Sequence, residues 1–428
     1  MTAIRTHRVL HGGEGRKTTL LVDFIACTPK RWVQKPRLHG SILESIVSSN
    51  QQADQRKISL KLRYSVVLVI RNPFRLNGSE AIPRSGFEGN MRVTGLHRRT
   101  LPYFLVTGVF ALGIGAPAFG ANDLFESARN RFSPLPETLA GPENSLAPAQ
   151  VNLGRKLFFD KRLSTDGTVS CETCHLPGLH ATDGRNRAVG VENRLNLRNA
   201  PTLLNAALQF RAHWDGSRES VEDQAKQSLI GPTSFGNPDY PSVIAKLKAL
   251  GYEKEFQMAF PGTADPIQPD HWGQAIGAYE RTLVSPSPFD AYLKGSMGAL
   301  NDAAKKGLRL FIEMGCANCH DGTLLGGMRY AKFGLFEEVP NTTDDAGRAR
   351  VTQLASDQRV FKIPQLRNVA MTPPYFHDGS VEDLSEAVRI MAKVQLNREL
   401  SVPEIADLRA FLESLTGPVP SHFSAPRN

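Results

Sequence analysis

The string Cys-x-x-Cys-His occurs twice in this chain, at Cys171–His175 and Cys316–His320, and takes up four of its five cysteines. With so few cysteines and histidines in 428 residues, one such string arises by chance with odds on the order of 10⁻³, and two with about 10⁻⁶. The spacing has a chemical reason. Two thiols so placed form thioethers to the two vinyl groups of one haem, and the next residue lies where its imidazole ligates the iron. The motifs predict two c-type haems, held covalently by Cys171 and Cys174 and by Cys316 and Cys319, with His175 and His320 as proximal ligands. A zinc ribbon needs its cysteine pairs about 15–20 residues apart, whereas 141 residues lie between Cys174 and Cys316. A thioredoxin-like pair would follow a strand, but helical patterns precede both pairs. Disulfides give the histidines no reason.

The formal charge of +9 suggests a polyanion-binding protein only until it is located. Residues 1–99 hold 18 of the 51 Lys and Arg but 6 of the 42 Asp and Glu, which leaves the remainder mildly acidic and excludes nucleic acid as the expected partner. Residues 1–90 show no sustained period, and they read as an upstream or disordered extension. From Met91 the pattern changes to a basic stretch ending in Arg98-Arg99, an apolar run from Leu101 to about Ile114, and small residues to Ala121. Residues 91–121 therefore read as a signal peptide, too short in its apolar run to span a bilayer, so the mature protein is expected in the periplasm and not across the membrane. Haem attachment of this type follows export, so the two readings agree.

The chain behind the signal reads as an internal repeat. Gly154-Arg-Lys-Leu-Phe158 precedes the first motif and Gly307-Leu-Arg-Leu-Phe311 the second. Downstream, Leu197-Arg-Asn199 matches Leu366-Arg-Asn368, Trp214-Asp-Gly-Ser matches His377-Asp-Gly-Ser, and Ser220-Val-Glu-Asp223 matches Ser380-Val-Glu-Asp383. The expected fold is mainly α, with two tandem cytochrome c-like haem domains at 122–295 and 296–420, residues 122–150 being an irregular lead-in. In the second half, Ser380 and Asp383 read as a capping box for a helix that places Leu384, Ala387, Val388 and Met391 on one face. Met391 can thus point inward as a sixth iron ligand, with Met371 as its rival and a simple core role as the bland alternative. Counted from the matched aspartates, the first half has Gly231 at that position, which cannot bind iron. One haem reads as closed and the other as open to a small ligand. Ser401 and Glu404 cap a last helix with an apolar stripe from Ile405 to Leu415, ended by Gly417-Pro418.

These residues resemble the bacterial dihaem cytochrome c peroxidases, with the MauG-type maturation enzymes as close relatives. The resemblance runs from about Leu153 to Gly417 and rests on Leu157-Phe-Phe-Asp-Lys-Arg-Leu-Ser164, Arg198-Asn-Ala-Pro-Thr202, Phe289-Asp-Ala-Tyr-Leu293 and Leu366-Arg-Asn-Val-Ala-Met-Thr-Pro-Pro-Tyr-Phe-His377. It implies reduction of hydrogen peroxide with electrons from a small cytochrome c or cupredoxin, with a second copy of the chain as a further candidate partner. It implies Met391 rather than Met371 as ligand, Trp214 on the electron path between the haems, and calcium held by Asn199 and by backbone at Thr372 and Pro374. It also identifies Gln224 as the distal glutamine. This sequence departs from the family pattern at two places. Val191 stands where well-studied members carry a removable histidine ligand, so the first haem is expected open. Ser234 stands at the distal glutamate position, and a hydroxyl has no useful pKa for moving protons in O–O cleavage. Glu222 and Asp239 are the nearby substitutes in sequence. His180 and His377 read as propionate or surface contacts, and His213 and His271 as ordinary structural residues. Three functions compete: the peroxidase, a MauG-type enzyme acting on a protein substrate, and a dihaem carrier or sensor without turnover.

Overall fold

The computed structural model describes residues 121–139, 146–339 and 344–426. Cys27, the extension at 1–90 and the signal peptide up to residue 120 lie outside them. The protein is mainly α, and among the described residues its sheet consists of one antiparallel ribbon pairing Tyr330–Lys332 with Val360–Lys362. No helix of the described residues is long and apolar enough to cross a membrane.

Two hydrophobic cores organise the helices. The first gathers Leu153, Leu157, Phe158, Trp272, Ile276 and Tyr279 with their neighbours. The second gathers Phe289, Tyr292, Leu308, Phe311, Leu408 and Phe411 with theirs. Each fully buried Leu or Phe contributes roughly 1.5–3 kcal/mol by leaving water. The packing crosses the sequence boundaries expected above. Residues 121–129, inside the supposed irregular lead-in, form a helix, and its Leu124 and Ala128 join the second core, as do Phe289 and Leu293. At the other end Phe423 joins the first core.

The repeat is real in the backbone, and its register is that of the Trp214/His377 match and differs from the other two downstream matches read in sequence. Helix Pro148–Phe158 crosses helix Pro269–Glu280, and helix Asp302–Glu313 crosses helix Val402–Glu413 in the same way. Both crossings require glycine. A Cβ at Gly154 would lie 1.9 Å from the Ala275 carbonyl oxygen, and one at Gly307 would lie 1.8 Å from that of Asp407. Further along, equivalent residues stand 163 apart. Asn205 and Asn368 both take left-handed backbone at φ 62° and 63°, and Gly216 and Gly379 do so at 65° and 63°. Ala212 pairs with Arg218 as Tyr375 pairs with Val381.

In this register Leu-Arg-Asn368 matches Leu203-Leu-Asn205 and not Leu197-Arg-Asn199. The Oδ1 atoms of Asn205 and Asn368 each accept a backbone N–H at 2.9 Å, from Ser285 and Gly417. Likewise Ser220, which caps helix Val221–Ser228, matches Asp383, which caps helix Leu384–Leu396 by accepting from the Glu386 N–H at 2.9 Å. Ser380 is therefore not the cap. It lies in the preceding turn, where its N–H donates to Asp378 Oδ1 at 3.2 Å. The Ser401/Glu404 capping box forms as expected.

Candidate functional site

Each Cys-x-x-Cys-His ends in a turn that fixes its imidazole. In the first, Leu176 pairs with Thr182, and the left-handed residues His180 and Ala181 swing the Ala181 carbonyl back to His175 Nδ1 at 3.0 Å. In the second, Leu325 at φ 50° offers its carbonyl to His320 Nδ1 at 3.1 Å. A carbonyl only accepts, so in both rings Nδ1 carries the proton and Nε2 keeps a lone pair for a metal. Burial holds both rings well below the usual histidine range, at about 4, and therefore neutral. Gly326 belongs to the same turn, and a Cβ there would meet the Pro364 carbonyl oxygen at 2.2 Å. The four motif cysteines form no disulfide with one another.

A mostly apolar cavity of about 330 Å³ opens in front of His320, bounded by Cys316, Cys319, Phe311, Leu384 and Met391. An uncharged imidazole donor, two cysteine sulfurs and a thioether sulfur around one cavity fit a haem in kind. Met391 lines this cavity, whereas Met371 is 46% exposed and lies outside its lining. Leu384, Ala387 and Val388 share the cavity wall, so the helix face read from the sequence is the one that points inward.

The register of 163 corrects the first-half counterpart of Met391 from Gly231 to Ser228, whose hydroxyl donates to the Ala225 carbonyl at 2.7 Å. The substance of the expectation survives, because a helix-bonded serine is no substitute for a thioether. Gln224 corresponds to Ala387, a cavity-lining position, which puts the glutamine on the equivalent face of its helix. Ser234 lies beyond that helix, in a turn that receives the Val191 N–H on its carbonyl at 3.1 Å. Val191 is buried, and a Cβ at Gly236 would come within 2.5 Å of it.

Both proposed stand-ins for the distal carboxylate are engaged elsewhere. Glu222 is ion-paired with Arg281, and Asp239 caps a helix by accepting from the Ser242 N–H at 2.8 Å. The sequence reading missed Glu280, the last residue of a helix buried all round from Ala275 onward and only 2% exposed. Burial, aided by the charge of Glu222, pushes its carboxyl up to about 8, and it lies close enough to Cys171 to raise that thiol.

Trp214 bounds the cavity and donates its indole N–H to the Asn199 carbonyl at 3.0 Å. Its ring meets His377 edge-on at 6.5 Å between centroids. The backbone reciprocates across this contact. The Asn199 N–H donates to the His377 carbonyl at 2.8 Å, and the Lys362 N–H to the Trp214 carbonyl at 2.7 Å. Trp214 and His377 are themselves equivalent, as are Asn199 and Lys362, so the halves meet about a local twofold. Arg198 closes the junction with 2.6 Å contacts to both Asp215 and Asp345. Asn199, Thr372 and Pro374 all border the same cavity. Their oxygens are of the neutral kind that calcium accepts, three against the six to eight it takes. His180 turns towards the backbone of Gly417, His213 contacts Ser217 Oγ at 3.0 Å, and His271 stacks on Phe260 at 4.0 Å.

Two buried imidazoles on a helical repeat, each with Nε2 left for a metal, and a thioether in the cavity of the second, suit a two-centre haem-binding redox protein. Residues 148–298 match the family model described as di-haem cytochrome c peroxidase. The chain is 39% identical over 325 residues to cytochrome c551 peroxidase of Pseudomonas aeruginosa, an alignment covering 74% of this chain and 93% of that one. It is 36% identical over 296 residues to methylamine utilization protein MauG of Methylorubrum extorquens, covering 65% and 82%. The crystal structure of a MauG-like protein associated with microbial copper homeostasis is similar at a TM-score of 0.61 and 29% identity, over 68% of this chain and 97% of that one. The chain belongs to the di-haem cytochrome c peroxidase family and is an oxidoreductase of the peroxidase class.

Proposed function

We propose that this protein reduces hydrogen peroxide to water with electrons from a small cytochrome c or cupredoxin, taken up on the His320 side and delivered to the His175 side. The observation that carries this reading is the asymmetry of the repeat: Met391 lines the same cavity as His320, while Ser228 at the equivalent position is bonded to its own helix. When bound, the haems supply the redox-active iron and the site for peroxide. The chain's residues do the rest. His175 and His320 would hold the two haems through Nε2, Cys171, Cys174, Cys316 and Cys319 would anchor them covalently, and Met391 would be a further ligand of the second. Val191 leaves the first half without the competing imidazole, Gln224 orients peroxide, and Trp214 bridges the halves. In this reading 122–295 and 296–420 are the two haem domains in sequence, calcium sits at Asn199, Thr372 and Pro374, and the mature protein works in the periplasm.

With Ser234 at the acid–base position, the wild type is a slow peroxidase, since a positioned proton carrier is worth about 10²–10⁴-fold. Stopped-flow mixing of the dihaem protein with peroxide tests this, and Ser234→Glu should consume peroxide at least tenfold faster. A wild type as fast as the variant refutes it and points to Glu280 as the proton carrier. A second reading, MauG-type oxidation of a partner protein, is favoured by the likeness to MauG and by Val191. Met391 weighs against it, because those enzymes are expected to carry tyrosine there.

A further inference from the structure

Among the described residues, Lys362 is a buried cation without a counter-charge. It ends the ribbon strand Val360–Lys362, is only 6% exposed, and lines the same cavity as His320 and Met391. Its ammonium meets the side-chain carbonyl of Gln209, a neutral acceptor. Burial alone pushes it down to about 8, with no carboxylate pulling the other way. The neighbouring charges offer no relief. His213, Arg198 and Arg218 share its neighbourhood, and Asp215 and Asp345 are both paired with Arg198 at 2.6 Å. A second polar group is stranded beside it. His377 is 4% exposed, stacks on Phe361 at 4.3 Å, lines the cavity, and has no hydrogen-bond partner for Nε2 among the described residues. Burying an ammonium costs several kcal/mol unless an anion compensates, so a cation held this way marks where a negative group arrives.

We infer that Lys362, with His377 Nε2 as a second donor, binds a carboxylate of the haem attached at Cys316 and Cys319, and that this charge raises that haem's reduction potential. A cation beside the porphyrin stabilises the state carrying the extra electron. The inference rests on the dihaem reading above. Its test therefore measures haem content first, as two covalently bound haems per chain and the near-infrared band of His/Met ferric iron.

The experiment is a potentiometric titration of the holoprotein for wild type, Lys362→Gln and Lys362→Arg. Lys362→Gln should keep both haems and the band, yet lower the equilibrium constant for reduction of the His320-side haem about tenfold, or 59 mV for a one-electron couple. Lys362→Arg should stay within about threefold of wild type. Should the Gln variant fail to hold haem, Lys362→Met keeps the aliphatic stem and carries the same expectation. An unmoved potential in the haem-loaded neutral variant, a shift confined to the His175-side haem, or an equal fall in Lys362→Arg overturns the assignment. Absence of haem from the second motif in the wild type overturns the dihaem reading instead.

Discussion

Arg367→Leu should be among the most damaging single changes in the second half. Arg367 is fully buried and forks onto Asp290, with contacts of 2.6 Å and 2.9 Å to its two carboxylate oxygens. The same carboxylate accepts the N–H groups of Leu135 at 2.6 Å and Ser287 at 2.7 Å, and Arg367 Nε donates to the Thr323 carbonyl at 2.6 Å, three residues past His320. Removing the guanidinium leaves a buried charge uncompensated, a loss of about 3–5 kcal/mol. The repeat supplies its own control, because the equivalent first-half position is the buried Leu204. Arg367→Leu combined with Asp290→Asn should therefore recover about 2 kcal/mol or more, Asn keeping an acceptor for the backbone N–H groups. Urea unfolding followed by far-ultraviolet circular dichroism measures both. The pH dependence adds a second reading. Burial raises the Asp290 carboxyl, but the Arg367 charge and the backbone donors outweigh it, so the folded value is lowered. The contribution is thus complete above the ordinary carboxylate value of about 3.9 and fades as the pH falls through the folded value. A single variant that loses under about 1 kcal/mol, or a double variant no better than the single, would refute the reasoning.

Three further outcomes follow from the same geometry. Met391→Ala should abolish the near-infrared band of His/Met ferric haem and lower that haem's potential, while Met371→Ala leaves both unchanged; retention of the band in the first variant moves the ligand to Met371. Trp214→Phe should slow steady-state turnover with a protein donor and leave the initial reaction with peroxide nearly unaltered in stopped flow, equal slowing of both meaning that the indole is only structural. Gly154→Ala and Gly307→Ala should each destabilise by about 1–3 kcal/mol or more in denaturant titrations, because the added methyl meets helix backbone that cannot swing aside.

The haem-binding motifs were legible in the sequence because they depend on contiguous spacing, and so were the inward face of the Met391 helix and the Ser401 cap, which depend on period. Of the repeat's register, the Trp214/His377 match was legible and the other two were not. Leu197-Arg-Asn199 copies Leu366-Arg-Asn368 in letters, whereas the backbone pairs Asn368 with Asn205 through a shared left-handed turn and a shared amide-to-backbone bond. Function of that kind is written in φ angles and carbonyl directions. The helix at 121–129 escaped because its apolar positions are satisfied by residues more than 160 positions away. Lys362 and Glu280 read as ordinary charged residues, since nothing local announces that a side chain lacks a partner.

The crossing of the two chain ends governs how the protein can be assembled. The segment emerging first after residue 120 packs with residues 289–415, and Phe423, near the end, stacks among Phe158, Phe159 and Tyr279 within 6.5 Å while Arg155 Nε grips the Ser424 carbonyl at 2.8 Å. Neither half can be completed from its own stretch of chain. The halves therefore cannot mature one after the other like beads, and a cut between the two haem motifs would release two fragments that each carry a strap meant for the other. Contacts of such long range are slow to form and, once formed, turn two similar modules into a single cooperative body.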